Sequence, residues 1–118
     1  MRHQKKKVTL DRKSASRNAL LANLAESLIL YEKVTTTKAK AKVLKSFTEK
    51  LITVAKKNTL SARRELIKRL YTENAVKKLM EVLAPRYAGK MGGYARLTLI
   101  SGSRDGDGAE RAMVELIK

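Results

Sequence analysis

The sequence contains no cysteine and no tryptophan, and only one histidine and one proline. Without cysteine, the chain cannot form a disulfide framework or a Cys-ligated zinc or iron–sulfur site. Its longest apolar runs, such as residues 28–30, are far shorter than the roughly 20 residues of a membrane-spanning helix. The basic N-terminus continues into polar residues and not into an apolar stretch, so it lacks the pattern of a secretory signal.

Residues that could perform catalysis or hold a cofactor are also scarce. His3, the one histidine, has no cysteine or neighbouring carboxylate with which to form a zinc site or a catalytic triad. The run 105–108 resembles the start of a calcium loop, but its twelfth position is Leu116 instead of glutamate. The glycines at 89–93 have the wrong spacing for a P-loop or a dinucleotide fingerprint. We therefore expect no enzyme, no cofactor, no metal and no small-molecule substrate.

Positive charge is what the sequence has in excess. The 118 residues include 27 Lys and Arg and 11 Asp and Glu, which gives a formal net charge of +16. The excess is clustered, with +6 in residues 1–17, +6 in residues 38–58 and +3 in residues 59–71. A charge that served only solubility would be dispersed and mixed in sign. The clusters therefore predict a polyanionic partner, whose binding gains free energy from counterion release.

The hydrophobic periodicity predicts an α+β fold after a basic extended arm at residues 1–13. Residues 14–118 are expected to form one domain, with helices layered on a small mixed sheet in the order α-β-α-α-α-β-β. Capping and turn residues give the boundaries: a helix from Ser14 or Ser16, a strand at 33–37, a helix from Thr37 to Lys57, a helix at 60–70, a helix from Thr72 that Pro85 ends, and two strands from Tyr94 around a turn at 102–108.

The same periodicity predicts which side chains face the core. In the third helix the inward residues are expected to be Leu60, Ile67 and Leu70, with its arginines and lysine outside. In the last strand Ala112, Val114 and Leu116 alternate with Arg111, Met113 and Glu115, so each set shares one face, and one face of the hairpin is expected to pack on the helices.

Among polyanions, the composition favours RNA. Lysines in the arm act as flexible point charges, whereas arginines offer planar forks for phosphates or bases. Tyr87 and Tyr94 interleave with basic residues on a glycine-rich loop, where they either stack on unpaired bases or form the edge of the core. A membrane is not expected, because the apolar helix faces are needed for the core. A nucleoid-type DNA-binding protein remains the alternative, although no known DNA-binding motif is present.

An ordered set of short motifs then runs through the whole chain and is similar to the bacterial large-subunit ribosomal protein seventeen family. The set comprises Met1-Arg2-His3, Leu10-Asp11-Arg12, Arg17, Leu20, Asn23, the stretches 36–42 and 51–56, Arg63-Arg64, Arg86-Tyr87, Gly92-Gly93-Tyr94 with Arg96, the stretch 106–109 and Val114-Glu115-Leu116. This resemblance implies a cytoplasmic, ribosome-bound component that contacts large-subunit ribosomal RNA and neighbouring large-subunit proteins. It also implies an α+β fold with a final hairpin.

Three groups of residues are the expected RNA contacts. The arm should order on RNA, the middle helices should hold backbone phosphates, and the loop after Pro85 should make the shape-specific contact. The arm contributes Arg2, His3, Lys5, Lys6, Lys7, Arg12, Lys13 and Arg17; the helices contribute Lys38, Lys40, Lys42, Arg63 and Arg64; and the loop contributes Arg86, Tyr87, Lys90, Tyr94 and Arg96.

Overall fold

The computed structural model describes residue 10, residues 12–103 and residues 105–118. Its elements are α1 (Ser14–Tyr31), β1 (Lys33–Thr37), α2 (Lys38–Ala55), α3 (Leu60–Arg69), α4 (residues 73–86), β2 (Ala95–Ser103) and β3 (Glu110–Leu116). The expected α+β class and element order are confirmed. Among the described residues, no helix is long and apolar enough to cross a membrane.

The three strands form one sheet in the order β1-β3-β2. Val114 of the central strand lies opposite Val34 of β1 and Leu97 of β2, and both pairings are antiparallel. The sheet is therefore antiparallel and not mixed as expected. β1 and β2 run in the same direction, but β3 separates them, so they share no hydrogen bonds.

The helices cover one face of this sheet, with α2 against β2 and β3 and α1 against β1 and β3. Ala112, Val114 and Leu116 are buried on the helix side and share one face, as the alternation in β3 predicts. The core between the layers is built mainly of aliphatic side chains, including Leu28, Ile29, Leu44, Leu51, Ile52, Leu66, Leu79 and Leu83. Among the described residues, no helix covers the opposite face of the sheet, which is lined by Lys33, Thr35, Arg96, Thr98, Arg111, Met113 and Glu115.

The buried face of α3 differs from the predicted one. Leu66 and Leu70 are buried with Ala62, whereas Leu60 is 64% exposed and Ile67 is 52% exposed. Leu70 was assigned correctly, but the inward assignments of Leu60 and Ile67 are wrong. α3 therefore has two apolar stripes. Its short contact with α2 and α4 covers only the stripe of Ala62, Leu66 and Leu70, which are spaced four residues apart.

Pro85 does not end α4, contrary to the prediction. The α-helical segment Glu73–Lys78 passes into a π-helical segment, Leu79–Leu83, and then into a last turn, Ala84–Arg86. The Ala84 N–H donates to the Leu79 carbonyl five residues back. This wider turn shifts the carbonyls that a proline ring would otherwise meet, so the helix continues past Pro85.

The helices start at or next to the predicted residues, but the residues predicted to cap them do not form capping hydrogen bonds within the described chain. α1 begins at Ser14, but Lys13 occupies the N-cap position and its side chain makes no capping hydrogen bond. Thr37 and Thr72 precede α2 and α4 without side-chain capping bonds. Thr59 does cap α3, because its hydroxyl accepts the Ala62 N–H at 3.1 Å.

Candidate RNA-binding surface

The exposed side of α2 carries a line of positive charge. Lys42 and Lys50 share an exposed stripe with Ser46 and Thr53, and Lys57 continues it just past the helix end. Eight residues separate the two helical lysines, about 12 Å along the axis. In the part of the chain that the structure describes, none of these three lysines has an acidic partner. We call Lys42, Lys50 and Lys57 the α2 lysine stripe.

This stripe borders a groove of about 470 Å³ that α2 forms with the end of α3 and with the loop between α4 and β2, residues 87–94. We call residues 87–94 the glycine loop. Lys50 and Thr53 line one side, Gly92 and Gly93 the other, and Arg69 also contributes. Gly93 has a φ of +67°, a left-handed backbone conformation that favours glycine. Nothing in the described chain lies within 4 Å of a Cβ added at Gly92. Gly92 and Gly93 are both exposed, so a ligand can approach the loop backbone closely here.

Lys56 fixes the glycine loop to α2. Its ammonium group donates to the Tyr94 hydroxyl at 2.8 Å and to the Lys90 carbonyl, and the Tyr94 hydroxyl donates to the same carbonyl at 3.1 Å. Two regions that the sequence predicts as separate RNA contacts, the middle helices and the loop, thus form one surface. Lys90 itself is exposed and has no acidic partner among the described residues.

The two tyrosines that the sequence predicts as RNA contacts are buried in the core. Tyr87 is 3% exposed and Tyr94 is 1% exposed, and their ring centres lie 5.1 Å apart within the core. The Tyr87 hydroxyl donates to the Ile117 carbonyl. Both rings are therefore the edge of the core, one of the two alternatives that the sequence left open, and neither can stack on a base without leaving it.

The two arginines of the same region also have partners inside the chain. Arg96 donates to Glu115 through Nε at 3.1 Å and Nη2 at 2.6 Å, across the β2–β3 pair. Arg86 is paired with Glu32, whose other carboxylate oxygen lies 3.5 Å from the Lys78 ammonium. Of the five predicted loop contacts, only Lys90 is left exposed and unpaired in the described chain.

Glu32 and Arg86 shift each other's ionisation. The hydrogen bond from Arg86 lowers the pKa of Glu32, and the charges of Arg86 and Lys78 add to that effect against the cost of partial burial. The hydrogen bond to Glu32 raises the pKa of Arg86. Glu32 is the C-cap residue of α1, with a φ of +65°, and its backbone carbonyl accepts the Leu116 N–H at 2.8 Å. The Glu32–Arg86 pair therefore joins α1, α4 and the end of β3.

The lysines and arginines that the sequence predicts as RNA contacts on the middle helices lie on several different faces of the protein. Lys38 lies 3.2 Å from Glu110 and, with Lys42, lines a cavity of about 590 Å³ beside the turn before β3. Lys40 is half-buried and lies about 200° around the helix from Lys42, so these two lysines do not share a surface. Arg63 is half-buried beside Ile67, and Arg64 is exposed.

Most of the predicted arm contacts, namely Arg2, His3, Lys5, Lys6 and Lys7, lie outside the described residues. Arg12 and Lys13 are exposed before the start of α1. Arg17 belongs to α1 and is only 7% exposed, so it is not part of the accessible basic surface.

Lys50 and Arg69 are groove residues that the sequence prediction did not include. Lys50 could have been found by extending the helical period from Lys42 through Ser46. Arg69 had no such signal, because its place beside Gly92 depends on how α3 turns back against α2.

Comparison with known proteins identifies the family. The family model described as "Ribosomal protein L17" matches residues 20–117, which is most of the chain. The chain belongs to the ribosomal protein L17 family. The resemblance first suggested by the ordered motifs is thereby confirmed.

Curated relatives support the family assignment over the full length. The "Large ribosomal subunit protein bL17" of Hydrogenobaculum sp. (strain Y04AAS1) is 42% identical over 118 residues, covering 100% of both chains. The protein of the same name from Methylacidiphilum infernorum is 45% identical over 98% of this chain and 87% of its own. The one from Orientia tsutsugamushi (strain Boryong) is 50% identical over 99% of this chain and 80% of its own.

Proposed function

We propose that this L17-family protein is a non-catalytic component of the large ribosomal subunit that binds large-subunit ribosomal RNA in the cytoplasm. Its relatives carry the name of a large-subunit protein. The observation that supports RNA contact most directly is the α2 lysine stripe beside the open glycine loop. Lys42, Lys50 and Lys57 are exposed cations without acidic partners among the described residues, so they are free to pair with phosphates.

The proposed RNA surface is narrower than the sequence suggested. It comprises the α2 lysine stripe, Lys90, the basic residues of the arm and Arg69. The Arg69 side chain lies 3.2 Å from the Glu65 carboxylate, and this exposed pair is weak enough to exchange for a phosphate. Lys38 is a peripheral member, because its exposed pair with Glu110 is weak enough to exchange for a phosphate. We leave out Tyr87, Tyr94 and Arg17 because they are buried, and Arg86 and Arg96 because they are paired with Glu32 and Glu115 inside the chain. We propose that the whole chain supports subunit assembly by bringing RNA and neighbouring large-subunit proteins together around this scaffold.

Salt-dependent binding to purified large-subunit ribosomal RNA tests the surface. Lys42→Gln and Lys50→Gln should each weaken binding and reduce the log–log salt slope by about 0.7 to 1. Lys45→Gln is the matched control, since it removes the same charge from the same helix but Lys45 is already 3.5 Å from Glu49. Equal slope changes for all three variants would contradict the proposed role of the unpaired stripe.

Sedimentation of a cell lysate tests the wider function. The full chain should travel with the large subunit in a low-salt gradient. Recovery of the chain free of ribosomal particles would overturn the proposal, and recovery on chromosomal DNA would favour the nucleoid alternative.

A further inference from the structure

The exposed side of α3 presents apolar side chains that lie outside the core formed by the described residues. Leu60 is 64% exposed and Ile67, two turns later, is 52% exposed. Tyr71 follows just after the helix and is 64% exposed. Scattered apolar residues are normal on a surface, but an aligned series that ends at a cavity indicates an interaction site. We call Leu60, Ile67 and Tyr71 the α3 apolar stripe.

The stripe ends at a cavity of about 430 Å³ between α3 and α4. Ile67, Leu70, Tyr71 and Val76 give it an apolar lining, and Arg63 and Glu73 add one charge of each sign. This volume lies within the roughly 300–1,000 Å³ range of sites that hold compact ligands, so it can accept an apolar side chain.

The corner that presents Tyr71 is held firmly by another helix. The Glu26 carboxylate of α1 accepts the Tyr71 N–H at 2.9 Å and the Thr72 N–H at 3.2 Å. The exposed Tyr71 ring therefore extends from a fixed backbone between this cavity and a smaller one, of about 250 Å³, lined by Phe47 and Lys68. A preorganised aromatic side chain is typical of residues that dominate binding at protein interfaces.

Charge distinguishes the possible occupants. RNA phosphates gain nothing from the aliphatic side chains that form most of the cavity lining, whereas an apolar side chain of a protein gains from burial there. A second copy in a symmetric contact would bring Arg63 and Arg64 of both chains together, on molecules that each carry +16. A different protein whose apolar side chain is flanked by a carboxylate matches both the apolar lining and these arginines.

We propose that the α3 apolar stripe and its cavity dock a neighbouring large-subunit protein through a segment that inserts an apolar side chain and pairs an acidic residue with Arg63. This inference rests on the proposed ribosomal function and assigns one of its partners to a surface separate from the α2 lysine stripe. Arg64 is exposed on the same helix and supplies a second cation for the acidic segment. Neither arginine has an acidic partner among the described residues.

Site-specific crosslinking within assembled subunits tests the docking. The photoreactive residue p-benzoylphenylalanine replaces Ile67 in one full-length variant and Lys50 in another, and large subunits containing each are purified before irradiation. We expect position 67 to crosslink to a ribosomal protein, at a peptide that contains an acidic residue beside an apolar one. Position 50 should crosslink to ribosomal RNA.

The two positions separate failure of the docking from failure of the proposed function. If position 50 crosslinks to ribosomal RNA while position 67 crosslinks to RNA, to a second copy or to nothing, the docking proposal is overturned. If neither variant enters the large subunit although both remain folded by circular dichroism, the proposed function fails and the docking fails with it.

A charge exchange then tests the predicted pairing with the partner peptide. Arg63→Glu should lower the crosslink yield at position 67 by about tenfold, because it places like charges together. Changing the partner's acidic residue to arginine should restore the yield. Lys77→Glu makes the same charge change at an exposed residue that does not line the cavity, and it should leave the yield unchanged. No restoration, or an equal loss with Lys77→Glu, would contradict the pairing.

Discussion

The Lys56 ammonium group lies 5.0 Å from the centre of the Tyr94 ring and donates a hydrogen bond to the Tyr94 hydroxyl at 2.8 Å. These residues are 38 positions apart, and their contact holds the glycine loop against the C-terminal end of α2. A tyrosine that resembled a base-stacking residue in the sequence is thus a structural anchor. We therefore expect Tyr94 to affect RNA binding only indirectly, through the position of the loop.

Substitutions at Tyr94 should therefore change stability before they change RNA contact. Tyr94→Phe removes the hydroxyl but keeps the ring, so we expect a loss of about 1 kcal/mol in the free energy of unfolding. Tyr94→Ala should cost about 3–5 kcal/mol, because it leaves a cavity beside Tyr87. Urea denaturation measures both. A Phe variant that is as stable as wild type but binds RNA poorly would show that the hydroxyl contacts RNA directly.

The Glu32 pair should make the fold sensitive to acid. Because the pKa of Glu32 is lowered in the folded state, the unfolded chain takes up this proton first as the pH falls. The stabilisation is complete above the ordinary glutamate pKa of about 4.3 and is lost as the pH falls through the lowered folded pKa. Glu32→Gln should lower stability at neutral pH by about 1 kcal/mol and flatten this acid dependence.

Thermal unfolding between neutral and acidic pH measures the effect of Glu32→Gln. Glu81→Gln is the control, since Glu81 is exposed on α4 and has no ion pair among the described residues. If both variants lose stability in parallel with wild type on acidification, the Glu32 pair is not the cause of the acid sensitivity.

Two leucines in α3 test which of its apolar stripes belongs to the core. Leu66 is fully buried, so Leu66→Ala should cost about 2–5 kcal/mol in the free energy of unfolding. Leu60→Ala removes the same atoms from an exposed site and should change stability by no more than about 0.5 kcal/mol. Denaturant titration compares them, and similar losses would mean that the isolated chain buries Leu60.

Deletion of residues 2–13 tests the proposed separation of arm and domain. The first described helix starts at Ser14, so the far-ultraviolet circular dichroism of the remainder should keep its helical signal. Binding to large-subunit ribosomal RNA should weaken, and its salt slope should flatten, because the arm carries many of the cations. Loss of the helical signal would contradict the boundary between arm and domain.

The sequence alone determined those features that depend on neighbouring residues. The alternation in β3 predicted that Ala112, Val114 and Leu116 share one face, since strand periodicity is local. The order of elements followed from the apolar periods, and the family followed from motifs spread through the chain. The clustering of positive charge was equally visible, because it requires only counting.

Tertiary structure decided what those residues do. Glu32 pairs with Arg86 54 positions away, and Tyr87 reaches the Ile117 carbonyl across 30 positions, so neither arginine nor tyrosine could be assigned from its own segment. α3 offered two apolar stripes, and only its packing left Leu60 and Ile67 exposed. The sequence gives each residue its chemistry and its local period, but burial and ion pairing depend on which distant segments meet, and that is settled by the packing of the whole chain.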